Sequence, residues 1–132
     1  LKMVTVATPN EHEIRVIVGQ QDQETAIDAM LDAGTQTVLV TMGKRGVLWA
    51  CGKTRTTIPA FQVQAVDTTA AGDAFNGGLA CALGRGEPVA DAIRYANAVA
   101  ALSVTCMGAQ PSLPTAPQVD AFLNSESASA TP

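Results

Sequence analysis

Apolar and polar positions alternate along this chain with two different periods. From residue 37 to 42 the order Thr-Val-Leu-Val-Thr-Met is nearly continuous and β-branched, which predicts a strand buried on both faces. Residues 2–7 (Lys-Met-Val-Thr-Val-Ala) predict a second short strand. It ends at Thr8-Pro9-Asn10, because Pro9 has no N–H to give to a central ladder. A short helix follows over 11–18, closed by Gly19. Over 21–33, Ala26, Ile27, Met30 and Leu31 recur at helical spacing, with Gly34 as the stop. The runs 47–51 and 55–66 have strand character and are joined in hairpin-like order by Gly52-Lys53 and Pro59. The pattern then becomes helical over 71–83 and 89–105. Both segments are Ala-rich, and Gly77-Gly78 in the first permits close backbone packing. A last short helix is expected over 117–123, before a Ser/Ala-rich tail expected to fray.

Strands alternating with helices predict an α/β fold, a mainly parallel sheet flanked by helices. No internal repeat and no dividing linker is visible, so residues 1–124 are expected to form one domain and 125–132 a flexible tail. The composition supports this: among 132 residues, 47% are hydrophobic and 15% charged, enough apolar surface for a real core. The net charge of −4 argues against duplex nucleic acid or an anionic membrane surface as partner. No apolar run approaches the roughly 18 residues that span a bilayer, and residues 1–5 hold no long apolar core of a secretory signal. A cytoplasmic location is expected. Position 1 is Leu rather than Met, which suggests a fragment or a processed chain. Cys51, Cys81 and Cys106 are odd in number, lack CxxC spacing and sit among apolar or small residues. Buried free thiols are expected; with a single His, the spacing does not suit zinc.

The most informative stretch is Val66-Asp67-Thr68-Thr69-Ala70-Ala71-Gly72-Asp73-Ala74-Phe75-Asn76-Gly77-Gly78. A strand runs into a turn of small residues, and the turn opens a helix. At Ala70, Ala71 and Gly72 a ligand can approach the backbone. The first N–H groups of a helix lack internal partners and lie at its positive end, so the turn suits a phosphate. Asp73 would repel a resting phosphate unless its task is to accept a proton from an attacking hydroxyl. The same residue also suits an ordinary helix-start carboxylate.

Three further segments follow strands or helices. Thr41-Met42-Gly43-Lys44-Arg45-Gly46 places two glycines at a strand's carboxyl end, where open α/β sheets bind ligands. It equally suits a Gly-flanked turn, and it lacks the spacing of a Walker A loop. In Thr8-Pro9-Asn10-Glu11-His12-Glu13, Asn10 and Glu13 share one side of a first helical turn. Asn10 can donate to a phosphate oxygen and Glu13 can hold Mg²⁺, or the pair can form a capping box. His12, between acids, is expected to be solvated. The segment 103–112 ends a helix in a Gly/Pro loop. Its carbonyls, with a carboxylate such as Asp67, suit a monovalent cation, or simply close the helix.

In this order and at these gaps, TPNxxE, TxGxxG, DTTAAGDAFNGG and GAQPS resemble the carbohydrate kinases of the ribokinase family, over nearly the whole chain. The resemblance implies a ribokinase-like fold, truncated on the amino-terminal side, that carries the nucleotide half. It implies ATP-dependent phosphorylation of a sugar hydroxyl, with D-ribose the first candidate and other sugars or nucleosides as alternatives. Asp73 then matches the base that deprotonates the sugar hydroxyl, and Ala70, Ala71 and Gly72 match the anion hole for the migrating phosphoryl group. Asn10 matches the Asn near the ATP phosphates, and Glu13 the acid linked to Mg²⁺. Thr41, Met42, Gly43, Lys44, Arg45 and Gly46 match the ATP-contacting loop, and Asn97 falls beside the adenine. Asp67, Thr69, Ser103, Cys106, Gly108 and Ser112 match a potassium (K⁺) loop, mostly through backbone oxygens. The residues that grip the sugar are expected outside this chain. Pairing with a missing amino-terminal half or with a second copy is therefore expected, and a non-catalytic nucleotide-binding or assembly module is the competing expectation.

Overall fold

Branched side chains, glycines and prolines divide the chain close to where its sequence predicts. The structure, a computed structural model, describes residues 6–18, 22–64, 71–105 and 114–130. Strand β1 (Val6–Ala7) leads into helices α1 (Glu11–Val18) and α2 (Gln23–Asp32). Strand β2 (Thr37–Thr41), a 3-10 turn (Gly43–Arg45) and strands β3 (Val47–Cys51) and β4 (Thr54–Ile58) follow. Helices α3 (Ala71–Gly84), α4 (Val89–Val104) and α5 (Ala116–Ala130) come last. These elements group into two compact units, Leu1–Pro59 and Ala60–Pro132.

In the first unit the strands lie in the order β1-β2-β3-β4. β1 and β2 are parallel, with Val6 opposite Thr37. β2 pairs with β3 and β3 with β4 antiparallel, placing Leu39 opposite Trp49 and Trp49 opposite Thr56. The α/β class stands, but the expectation of a mainly parallel sheet is corrected for the described strands, where one pairing of the three is parallel. Connection length is the reason. β1 returns to β2 through two helices, which a parallel crossover needs, whereas short turns join β2 to β3 and β3 to β4 and permit only reversal. In the last turn Gly52 has φ +58°, a left-handed conformation that a glycine adopts without strain. Pro59 follows β4, so the long run expected to reach residue 66 ends as a strand at Ile58.

Val38 and Val40 of β2 share a face with Ala50 of β3, and on it they bury Ile14 of α1 and Ala26 and Ile27 of α2. Met30, Leu31, Met42 and Leu48 close the margin of this core. Asp22 caps α2: its Oδ2 accepts from the Thr25 N–H at 3.0 Å and from the Thr25 hydroxyl at 2.6 Å. These bonds, the hydroxyl's foremost, favour the ionised carboxylate and hold Asp22 below its ordinary 3.8. Arg55 ties the hairpin to α2, donating to Glu24 at 3.0 Å, to Asp28 at 2.6 Å and to the Gly52 carbonyl at 2.9 Å.

In the second unit α3 and α4 bury Ala74, Phe75, Leu79 and Ala82 on one side and Ala92, Ile93, Ala96 and Val99 on the other. Gly78 lies in their contact, where an added Cβ would meet Val99 Cγ2 at 2.8 Å. Arg85, paired with Glu87, lies 4.5 Å over the Tyr95 ring. Phe61 meets Phe122 of α5 edge-on at 5.1 Å, and Arg94 lies 4.9 Å over Phe61. The last helix is longer than expected. Thr115 and Gln118 cap each other reciprocally, a box of the T-x-x-Q type, and the buried Val119 anchors the turn that follows. The helix then continues to Ala130, past the tail boundary expected at 124. The cysteine expectation is also corrected: Cys51 and Cys81 are free but exposed, one at the hairpin tip and the other on the outer face of α3. Cys106 lies outside the described residues.

Candidate functional site

In the first unit two of the segments singled out in the sequence meet at the carboxyl end of the parallel pair. The Thr41 N–H donates to the Pro9 carbonyl at 3.0 Å, and Asn10 bridges Thr41 in parallel register. The Thr8–Glu13 and Thr41–Gly46 segments, far apart in sequence, are thereby laid side by side. The second segment closes on itself: the Met42 N–H donates to the Gly46 carbonyl at 2.8 Å, and the Gly46 N–H donates to the Gly43 carbonyl at 3.1 Å. Gly43 and Gly46 take φ +58° and +95°, so both glycines are needed for the turn's shape. Lys44 and Arg45 are exposed at its tip, and Met42 reaches back to the core.

Asn10 and Glu13 form the capping box. The Glu13 N–H donates to Asn10 Oδ1 at 2.7 Å, and the Asn10 N–H donates to Glu13 Oε1 at 3.0 Å. Of the two readings the sequence left open, the structure realises this one. It does not consume the other: the box uses Asn10 Oδ1 and Glu13 Oε1, and leaves the Asn10 amide N–H₂ as donor and Glu13 Oε2 as acceptor. Glu11, assigned no role on sequence, forms an ion pair with Arg45 across the two segments. The bond and the charge of Glu11 raise the Arg45 pKa further, keeping the guanidinium charged. Opposite charges 34 positions apart are not paired by any local sequence signal.

In the second unit α3 begins at Ala71. Gly72 and Asp73 are exposed in its first turn, while Ala74 and Phe75 anchor the same turn in the core. Around Gly72 the space is open: a Cβ added there would meet nothing within 4 Å. Asp73 makes no ion pair among the described residues. An exposed carboxylate thus stands beside a bare backbone at the positive end of a 14-residue helix. Asn97 lies buried on α4 at 6% exposure, and Ser103 is half-buried near the end of the same helix. Ala70, Asp67, Thr69, Cys106, Gly108 and Ser112 lie outside the described residues. No described helix is long and apolar enough to cross a membrane.

Residues 1–116 match the pfkB family carbohydrate kinase pattern. The chain is 43% identical over 129 residues to the ribokinase of Haemophilus influenzae, covering 93% of this chain and 42% of that protein. Its fold superposes with a TM-score of 0.82 on the Arabidopsis thaliana ribokinase solved with ribose and ATP, at 30% identity over 90% of this chain and 40% of that one. It superposes equally, at 0.82, on a Vibrio cholerae fructokinase double mutant in fructose-, ADP- and potassium-bound form, at 33% identity over 89% of this chain and 40% of that one. The chain spans about two fifths of the length of these proteins.

Proposed function

The chain belongs to the pfkB family of carbohydrate kinases, and from that premise we propose that it carries the nucleotide site and the base of an ATP-dependent sugar kinase whose acceptor is D-ribose. One observation carries this reading: the exposed Asp73 carboxylate beside the open backbone of Gly72 at the start of α3. Phosphoryl transfer asks little covalent work of a protein. It asks for position, and for donors where charge develops. The amides of Ala70, Ala71 and Gly72 are assigned as such donors, and α3 begins at Ala71, where the positive end of its dipole favours an anion. Asp73 accepts the proton of the sugar's primary hydroxyl as its oxygen attacks the terminal phosphorus in line.

In the first unit the loop Thr41 to Gly46 receives the nucleotide, and Asn10 donates through its amide to a phosphate oxygen. Asn97 is assigned to the adenine side. Glu13 keeps one oxygen outside the capping bond, which fits a hard divalent cation that takes few protein ligands and completes its shell with water and phosphate. Mg²⁺ held there would neutralise phosphate charge. The potassium set of Asp67, Thr69, Ser103, Cys106, Gly108 and Ser112 belongs to the same reading, mostly through backbone oxygens. D-ribose is favoured by the 43% identity to a ribokinase, while a fructokinase among the similar folds keeps a hexose as the competing acceptor.

The decisive variant is Asp73→Asn. A coupled assay of ADP release with ribose should show turnover reduced by a factor on the order of 10²–10⁴, with MgATP binding by calorimetry unchanged. Undiminished turnover would remove the base role. Binding by the parent chain without any turnover would assign it nucleotide holding alone, the module reading.

A further inference from the structure

Arg45 and Glu11 join the two segments that the proposed function assigns to ATP's phosphates. Arg45 ends the 3-10 turn after β2 with its side chain 65% exposed, and Glu11 opens α1 after β1 at 29%. Such an exposed pair adds little to stability, because solvent screens it and ordering two long side chains opposes it. Nor is it needed to hold the segments together, since the bond from the Thr41 N–H to the Pro9 carbonyl already does so. Its consequence is directional. A guanidinium at a loop tip otherwise sweeps through many rotamers. Here Arg45 Nη2 donates to Glu11 Oε2, and the planar fork keeps further donors for a second anion.

Glu11 itself is well placed to do this. The reciprocal Asn10–Glu13 cap fixes the first turn of α1, and the positive end of that helix favours the Glu11 charge. A bare carboxylate beside a phosphate site would repel the ligand; paired with Arg45 it does not. We propose that Glu11 is a positioning residue, which holds the Arg45 guanidinium at the mouth of the Gly43–Arg45 turn, preset to meet the polyphosphate of a nucleoside triphosphate. The inference rests on the nucleotide reading above and adds a residue outside the NxxE pair and the glycine loop.

The test is calorimetric titration of the 132-residue chain with MgATP at fixed ionic strength. The variants are Glu11→Gln, Glu11→Asp, Arg45→Ala, the double Glu11→Gln/Arg45→Ala and the charge swap Glu11→Arg/Arg45→Glu. A melting curve for each shows that it folds. Arg45→Ala should weaken binding by about tenfold and Glu11→Gln by about threefold, with Glu11→Asp between Gln and the parent. The double variant should bind no more weakly than Arg45→Ala, because without the guanidinium Glu11 positions nothing and its bare charge only repels the ligand. The charge swap should melt like the parent yet bind poorly, since it restores the pair but turns a carboxylate toward the phosphates. Equal affinity in Glu11→Gln and parent, additive losses in the double variant, or affinity recovered in the swap would each overturn the role of Glu11. Absence of MgATP binding by the parent would instead overturn the nucleotide reading beneath it.

Discussion

Gly78 faces α4 across a tight contact, with Val99 Cγ2 at 2.8 Å and the Ala96 Cα at 3.2 Å from the position of an added Cβ. Alanine there would gain about 1 kcal/mol of helix propensity. Against that, Val99 Cβ at 3.0 Å and the Ala96 backbone cannot turn aside, and overpacking a tight contact costs about 1–3 kcal/mol. The steric term should win, so Gly78→Ala is expected to lower Tm by several degrees, with part of the loss recovered by adding Val99→Ala. Asp22 gives a second prediction at this scale. Its pKa is depressed by the Thr25 hydroxyl and N–H. The unfolded chain therefore binds its proton first as pH falls. The stability it contributes is present above its ordinary 3.8 and is lost as pH drops through the lower folded value. Urea titrations at about pH 5 and about pH 3 should show a smaller loss on acidification for Asp22→Asn than for the parent.

Among the elements, the β3–β4 hairpin depends on a two-residue turn with Gly52 at φ +58°. No atom lies within 4 Å of an added Cβ there, so the penalty for Gly52→Ala is conformational and should be about 1–2 kcal/mol in urea denaturation. Arg55 binds that turn to α2 by four hydrogen-bonded contacts, to Glu24, Asp28 and the carbonyls of Gly52 and Thr54. The same logic makes the Asn10–Glu13 box an element-level feature: it begins α1 and so sets where Glu11 points. Sequence spacing revealed the pair but left its duty open between cap and ligand. The oxygen of each side chain that forms the cap is visible only once the helix exists.

For the whole molecule, nucleotide binding should stabilise the fold by mass action. With MgATP at about 100 times Kd the gain is about 2.7 kcal/mol, enough for a rise in Tm of several degrees by differential scanning fluorimetry. Asp73→Asn should keep this shift, since the role proposed for the carboxylate is proton transfer rather than nucleotide binding. Loss of the shift in that variant would mean that Asp73 shapes the anion site itself.

What the amino-acid order determined by itself is local or repetitive. Residues 11–18, 47–51 and 71–83 needed only local pattern and their flanking glycines or prolines, because helix and strand preference act between near neighbours. The order of the TPNxxE, TxGxxG and AAGD segments likewise carried the family likeness without coordinates. The tertiary structure decided what depends on residues distant in the chain. The β3–β4 hairpin was legible in its Gly52-Lys53 turn, but the tertiary structure chose antiparallel pairing of β2 with β3, because pairing direction follows connection length and not strand composition. It left Cys51 and Cys81 exposed, because an apolar neighbourhood in sequence does not say which side of a strand or helix faces the core. And it brought Glu11 to Arg45, because a charge finds its partner only after β1 and β2 have paired and set their carboxyl ends together.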